Sequence, residues 1–219
     1  MIYNKSVTYY TEIKIKERWF VLSMGKRQIA AMQTRLKVIV AAKRLIEKNG
    51  FKNVTIDDIT REAKVAKGTF YTYFKRKEDV VSEIAKSNYN EIYKRSVELN
   101  GDIGDRITSF LIGSMEYIEQ TGLKICQQWI KTVVEPEDQG GKEKLLYDYN
   151  IISDLLNQAI DAGELSKETP VKQLSDAIVS QYYGIVLTWG ILNGASAPVE
   201  LLKKYCQGQL RDSLSHYQI

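Results

Sequence analysis

An all-α fold follows from three features of this 219-residue chain. Apolar residues recur at helical spacing along most of its length, only three prolines and 14 glycines interrupt them, and 44% hydrophobic with 26% charged residues suits a soluble globular protein. The same pattern predicts a small N-terminal three-helix domain over residues 24–80 and a larger helical bundle over 81–219. Residues 1–23 lack a sustained helical period and precede Met24, from which the pattern turns regular. They are expected to be a disordered basic arm or an extension translated upstream of a natural start at Met24.

The first helix is predicted over Thr34–Asn49. Val38, Ile39, Ala42, Leu45 and Ile46 form one stripe, and Gly50 supplies a left-handed stop. Thr55-Ile56-Asp57-Asp58 has the form of a capping box, a polar cap followed three residues on by an acid, and opens a short helix with Ile56, Ile59 and Ala63 on its inner face. After the connection Ala63-Lys64-Val65 a third helix is expected over about Ala66–Phe74, with Phe70 and Phe74 on one face. Longer helices are predicted at about 79–99, 102–120, 122–133, 143–162, 170–193 and 198–214. Gly101, Gly122, Pro136 and Gly163 break or end segments, and Pro170 and Pro198 suit first-turn positions.

The net charge of +4 conceals an asymmetry. Residues 1–77 hold 18 Lys and Arg against 6 Asp and Glu, a net of +12, and the remainder holds 13 against 21, a net of −8. Such a basic N-terminal end suits a polyanionic partner. Cys126 and Cys206 lie far apart with no Cys-x-x-Cys or Cys/His spacing, which points away from a disulfide scaffold or zinc site and toward a reducing compartment. With His216 as the only histidine, no His-based triad or His-rich metal site can be built, and no phosphate-cradling glycine motif occurs. Neither a membrane-span pattern nor a secretory leader pattern is present, so the expectation is a cytoplasmic non-enzyme without cofactor or metal.

Two short helices joined by a tight turn, the second rich in small polar and basic residues, form the arrangement that sets a recognition helix in the DNA major groove. Lys67, Thr69 and Thr72 are able to meet base edges or phosphates, Gly68 allows close backbone approach, and Tyr71 and Tyr73 offer phenolic donors. Lys75, Arg76 and Lys77 add charge at the helix end. Each residue also has a plainer reading, the lysines as a solvated face and the tyrosines as core packing.

The run from Thr55 to Val80 (TIDDITREAKVAKGTFYTYFKRKEDV), with Ala41-Ala42 and Asn49-Gly50-Phe51 upstream, resembles the N-terminal signature of the tetracycline-repressor-like (TetR) bacterial transcriptional regulators. The resemblance implies that Thr55, Lys67, Tyr71, Tyr73 and Lys77 contact phosphates, that Thr69 and Thr72 face bases, and that the backbone N–H of Gly68 approaches the duplex. Lys64 departs from the pattern, which has glycine in the turn. A positive φ is therefore expected there, strained for a lysine.

On this reading the protein is a homodimeric repressor that a small-molecule effector releases from double-stranded operator DNA. The alternative is an architectural or chromosome-positioning DNA-binding protein of the same fold. One small helix-turn-helix makes few contacts, so such modules act in pairs. The two C-terminal helices are the expected homodimer interface, because the run from Ala177 to Leu192 is apolar around much of its circumference and carries small residues at Ser180, Gly184 and Thr188. The ligand-binding and dimerisation bundle is expected to line its pocket with residues from Met115, Tyr117, Cys126, Trp129, Tyr147, Tyr182, Tyr183 and Trp189, a set suited to an apolar or aromatic effector.

Overall fold

A computed structural model describes residues 25–86, 88–134 and 139–219. The N-terminal extension predicted over 1–23 and the break predicted at Pro136 lie outside the described residues. Among the described residues eleven α-helices follow one another: α1 Lys26–Asn49, α2 Ile56–Ala63, α3 Lys67–Tyr73, α4 Lys77–Lys86, α5 Tyr89–Glu98, α6 Ile103–Thr121, α7 Leu123–Val133, α8 Gln139–Asp161, α9 Val171–Ile191, α10 Pro198–Tyr205 and α11 Arg211–Ser215. A 3-10 turn at Phe51–Asn53 links α1 to α2, and a π-turn at Cys206–Leu210 joins α10 to α11. Among the described residues there is no strand, only an isolated antiparallel bridge between Leu165 and Gln218.

The small N-terminal core forms where the inner faces of α1 to α4 meet. Val38, Ala42 and Ile46 from α1, Ile59 from α2, Phe70 from α3 and Val80 from α4 are fully buried. Phe70 and Phe74 stack at 5.5 Å between ring centroids, the contact that i, i+4 aromatics make on one helix face. Thr55 caps α2 as expected. Its hydroxyl accepts from the N–H of Asp58 at 3.1 Å, and the Asp58 carboxylate accepts from the N–H of Thr55 at 3.0 Å. The hydrogen bonds from Thr55, together with Arg61, hold the Asp58 carboxyl below its ordinary value. Gly50 ends α1 with a φ of 80°.

In the C-terminal body α6, α8 and α9 contribute buried apolar residues that include Ile107, Phe110, Leu111, Ile152, Leu155, Ile178 and Val179. The one helix expected over 79–99 is two helices. Tyr89, at the start of α5, turns inward and is buried edge-on against Tyr117 at 6.0 Å and Tyr147 at 6.4 Å. The chain bends at Asn88, whose φ of −122° and ψ of 0° are not helical. Burying a tyrosine of this size outweighs the few helical hydrogen bonds lost at a break.

Candidate functional site

The helix α3 is divided lengthwise. Phe70 is wholly buried, whereas Lys67, Gly68, Tyr71 and Thr72 are exposed and Thr69 and Tyr73 half-buried. The two phenylalanines pin the helix to the small core it shares with α1 and α2, which leaves the opposite side as a row of small, basic and phenolic groups. A Cβ added at Gly68 would meet nothing within 4 Å, so no packing inside the chain demands glycine there. The open space is available to a partner.

The partners of the other residues differ. Lys67 Nζ pairs with the Asp57 carboxylate at 2.9 Å, both side chains more than half exposed. An exposed pair of this kind is worth little and is readily exchanged for a phosphate. Thr72 Oγ1 donates to the Gly68 carbonyl at 3.1 Å. Tyr71 is half exposed and leans its ring on Phe70, and Tyr73 packs partly against the core. Lys77 is placed otherwise than a simple phosphate contact would have it. Its Nζ donates to the carbonyls of Phe51 at 2.7 Å and Val54 at 2.6 Å and lies 4.0 Å over the Phe51 ring. It ties α4 to the turn before α2, and burial pushes its amine down from the ordinary lysine value.

The turn between α2 and α3 has the backbone that the departure at Lys64 foretells. Lys64 has φ 55° and ψ 46°, the left-handed region, and its N–H bonds back to the Arg61 carbonyl at 3.2 Å. A lysine here carries about 1 kcal/mol of strain that glycine would not. Lys64→Gly is expected to raise the thermal midpoint by roughly 2–4 °C, and Lys64→Ala, which keeps the Cβ, to give no gain. Calorimetric melting of the three proteins checks it.

The body holds a second candidate site. A cavity of about 30 Å³, room for one water, is lined by Ala85, Tyr89, Tyr117, Ile118, Thr121, Ile125, Cys126 and Trp129. Of the residues singled out from sequence, Tyr117, Cys126 and Trp129 are therefore cavity walls. Tyr147 bonds to Asn90 Oδ1 at 2.9 Å, Met115 is fully buried in the core, and Trp189 is buried on α9. Burial pushes the Cys126 thiol up to about 12, which keeps it protonated and unreactive.

Tyr182 and Tyr183 belong to a polar cluster that sequence reasoning passed over. Lys144 and Asp148, one turn apart on α8, form an ion pair with both side chains 3% exposed. Tyr183 Oη donates to Asp148 Oδ2 at 2.9 Å, and Lys144 Nζ lies 3.8 Å over the ring of Tyr89. Asp148 Oδ1 is buried without a hydrogen-bond partner, and the buried phenols of Tyr182 and Tyr89 interact with one another.

Several contacts join this body to the N-terminal domain. Tyr117 Oη donates to the Ile84 carbonyl in α4 at 2.6 Å. Lys124 Nζ donates to the carbonyls of Glu47 and Lys48 at the end of α1, at 2.8 and 3.1 Å. Between them Gly122 turns the chain with φ 100°, and a Cβ there would fall 1.9 Å from the Glu47 carboxylate. The wall residue Thr121 thus adjoins the point where the two domains touch.

On the outside of the body one face of α9 is uncovered. Ala177, Ser180, Gln181, Gly184, Leu187, Thr188 and Ile191 are all exposed, Ile191 by 71%. The opposite face is buried.

Residues 38–84 match the family model of bacterial regulatory proteins, tetR family. The chain is 27% identical over 167 residues to the fatty acid metabolism regulator protein of Bacillus subtilis, covering 70% of this chain and 82% of that one. It is 29% identical over 98 residues to the HTH-type transcriptional repressor NemR of Escherichia coli, covering 43% and 46%. Among solved structures its fold is similar to that of FadR from Bacillus subtilis in complex with stearoyl-CoA, with a TM-score of 0.60, 23% identity and coverage of 78% and 95%. It is also similar to a TetR-family transcriptional regulator from Syntrophomonas wolfei, with a TM-score of 0.65, 22% identity and coverage of 81% and 95%.

Proposed function

We propose that the chain, whose residues 38–84 match the tetR family model, is a homodimeric repressor that leaves its operator when a small molecule enters the C-terminal body. The observation that carries the DNA reading is the lengthwise division of α3, with Phe70 fixed in the core and Gly68, Tyr71 and Thr72 exposed on the outer side. A helix held this rigidly presents its outer row at fixed spacing, which the major groove requires. The basic surroundings supply the phosphate attraction.

In the release step an effector widens the cavity, and its walls carry the change outward. Tyr117 pulls on α4 through the Ile84 carbonyl, and the corner at Thr121–Lys124 pulls on the end of α1. Both helices belong to the small core that holds α3, so a body that opens shifts the two recognition helices of a dimer relative to one another. By linkage, effector and operator then weaken each other's binding by one common factor.

The test begins with duplexes selected from random DNA by the full-length protein, then follows binding by anisotropy against salt concentration. Affinity is expected to fall steeply with salt. Thr69→Ala and Thr72→Ala are expected to change discrimination at one or two base pairs per half-site by about 1–3 kcal/mol. Tyr71→Phe, by contrast, is expected to weaken every duplex alike. Uniform loss for both threonine variants would remove them from base reading. Selection that yields no common sequence would favour the architectural alternative over an operator.

A further inference from the structure

Lys77 stands apart from the outer row of α3. It is the first residue of α4, separated from α3 by Phe74, Lys75 and Arg76, whereas Val54 immediately precedes the Thr55 cap of α2. The hydrogen bond from Lys77 Nζ to the Val54 carbonyl therefore joins the exit of the helix-turn-helix to its entrance, across 23 residues of chain. The second bond, to the Phe51 carbonyl, and the Phe51 ring complete the surroundings of the amine. An ammonium has three donors. Two meet carbonyls, and the charge lies over a ring face that attracts it, so a phosphate gains a bond from this amine only in exchange for one of these contacts. Lys75 differs. It is exposed, and its side chain has no hydrogen-bond or ion-pair partner among the described residues. Its backbone is fixed, because the N–H groups of Lys75 and Arg76 both donate to Asp79 Oδ2, at 2.8 and 2.9 Å. An uncommitted cation on an ordered backbone beside the recognition helix suits a phosphate.

Resting on the DNA reading above, we propose that Lys77 is a positioning residue that closes the helix-turn-helix at its two ends, and that the phosphate contact at this end of α3 belongs to Lys75. Closure acts on the pose of α3. With eight residues in α2 and seven in α3, neither helix is long enough to persist by its own hydrogen bonds. Their arrangement depends on the core beneath them and on what fixes their ends. Lys77 ties the residue before α2 to the residue that opens α4, so neither end swings independently of the other. Without the tie a fraction of molecules holds α3 away from the pose that the major groove requires, and duplex affinity falls with the competent fraction. Because the amine meets no phosphate, its removal leaves the number of counterions released on binding as it was. Loss of the Lys75 amine removes one phosphate contact and so changes that number, while the pose of α3 stays the same.

The experiment compares full-length Lys77→Met and Lys75→Met on the selected duplex, methionine keeping an unbranched apolar stem without charge or donors. Lys77→Met is expected to weaken binding about three- to tenfold at every salt concentration, with the slope of log affinity against log salt unchanged. Lys75→Met is expected to flatten that slope by about one unit. Phe51→Leu takes only the ring from the amine and carries the test if Lys77→Met lacks the parental helicity. It is expected to weaken binding with the slope unchanged, and to add little to Lys77→Met in the double variant. Amide hydrogen exchange on the protein without DNA gives a reading that needs no duplex. Exchange across Ile56–Ala63 is expected to quicken about threefold or more in Lys77→Met and to stay as in the parent in Lys75→Met. A slope flattened by about one unit in Lys77→Met overturns the proposal, as does an unchanged slope in Lys75→Met. So does a Lys77→Met protein that melts lower yet holds the duplex as tightly as the parent, or one whose exchange is no faster. If the parent binds no duplex while exchange quickens as expected, the operator reading fails and takes the Lys75 assignment with it, and the closure at Lys77 stands.

Discussion

Lys144→Met is expected to destabilise the protein by about 3–5 kcal/mol, because it leaves the Asp148 carboxylate buried without its counter-charge. For a chain of this length that corresponds to a fall of roughly 6–20 °C in thermal midpoint. The double variant with Asp148→Leu is expected to recover to within about 1 kcal/mol of the parent, since a buried pair and a well-packed apolar pair of similar volume are close in energy. The Tyr183 hydroxyl, which loses its acceptor in the double variant, limits the recovery. Melting followed by circular dichroism separates the cases. If the single variant is as stable as the parent, Lys144 is not balancing a buried charge.

Gly184→Arg is expected to yield a monomer whose operator affinity is lower by about 10²–10⁴, the gain that linking two binding modules ordinarily provides. Gly184 lies midway along the exposed face of α9, and a Cβ there meets nothing within 4 Å in its own chain. An arginine at this position is therefore compatible with the fold of one chain and incompatible with a second copy packed closely on the same face. Sedimentation of the variant reads its mass, anisotropy reads its affinity, and unchanged helicity shows that the chain itself is intact. A dimer that survives both this change and Ile191→Asp would place the interface away from α9.

How much of the protein was legible in its sequence depended on the range of the interaction concerned. The Thr55 cap, the stop at Gly50 and the left-handed turn at Lys64 rest on a few neighbouring residues, and each has the geometry that its local chemistry requires. Phe70 and Phe74 had to share a face once α3 was a helix, and the exposure of Gly68, Tyr71 and Thr72 followed from the same period. The break before Tyr89 was not legible, because no glycine or proline marks it. Its cause is a pocket for the ring made by Tyr117 and Tyr147, far away in the chain.

The sequence by itself determined the all-α class, the helix-turn-helix and the basic end, all set by periodicity, capping and charge count within short windows. Tertiary structure alone decided which polar residues lie inside. Lys144 and Asp148, spaced i and i+4, have the pattern of an ordinary solvated helix pair. They are buried because Tyr89 of α5 and Tyr182 and Tyr183 of α9 close over that side of α8. Lys77 likewise has the pattern of one more surface cation, and the fold draws its amine onto two carbonyls of the preceding turn. Burial is a property of what other helices bring to a residue, and no window of sequence around the residue contains that information.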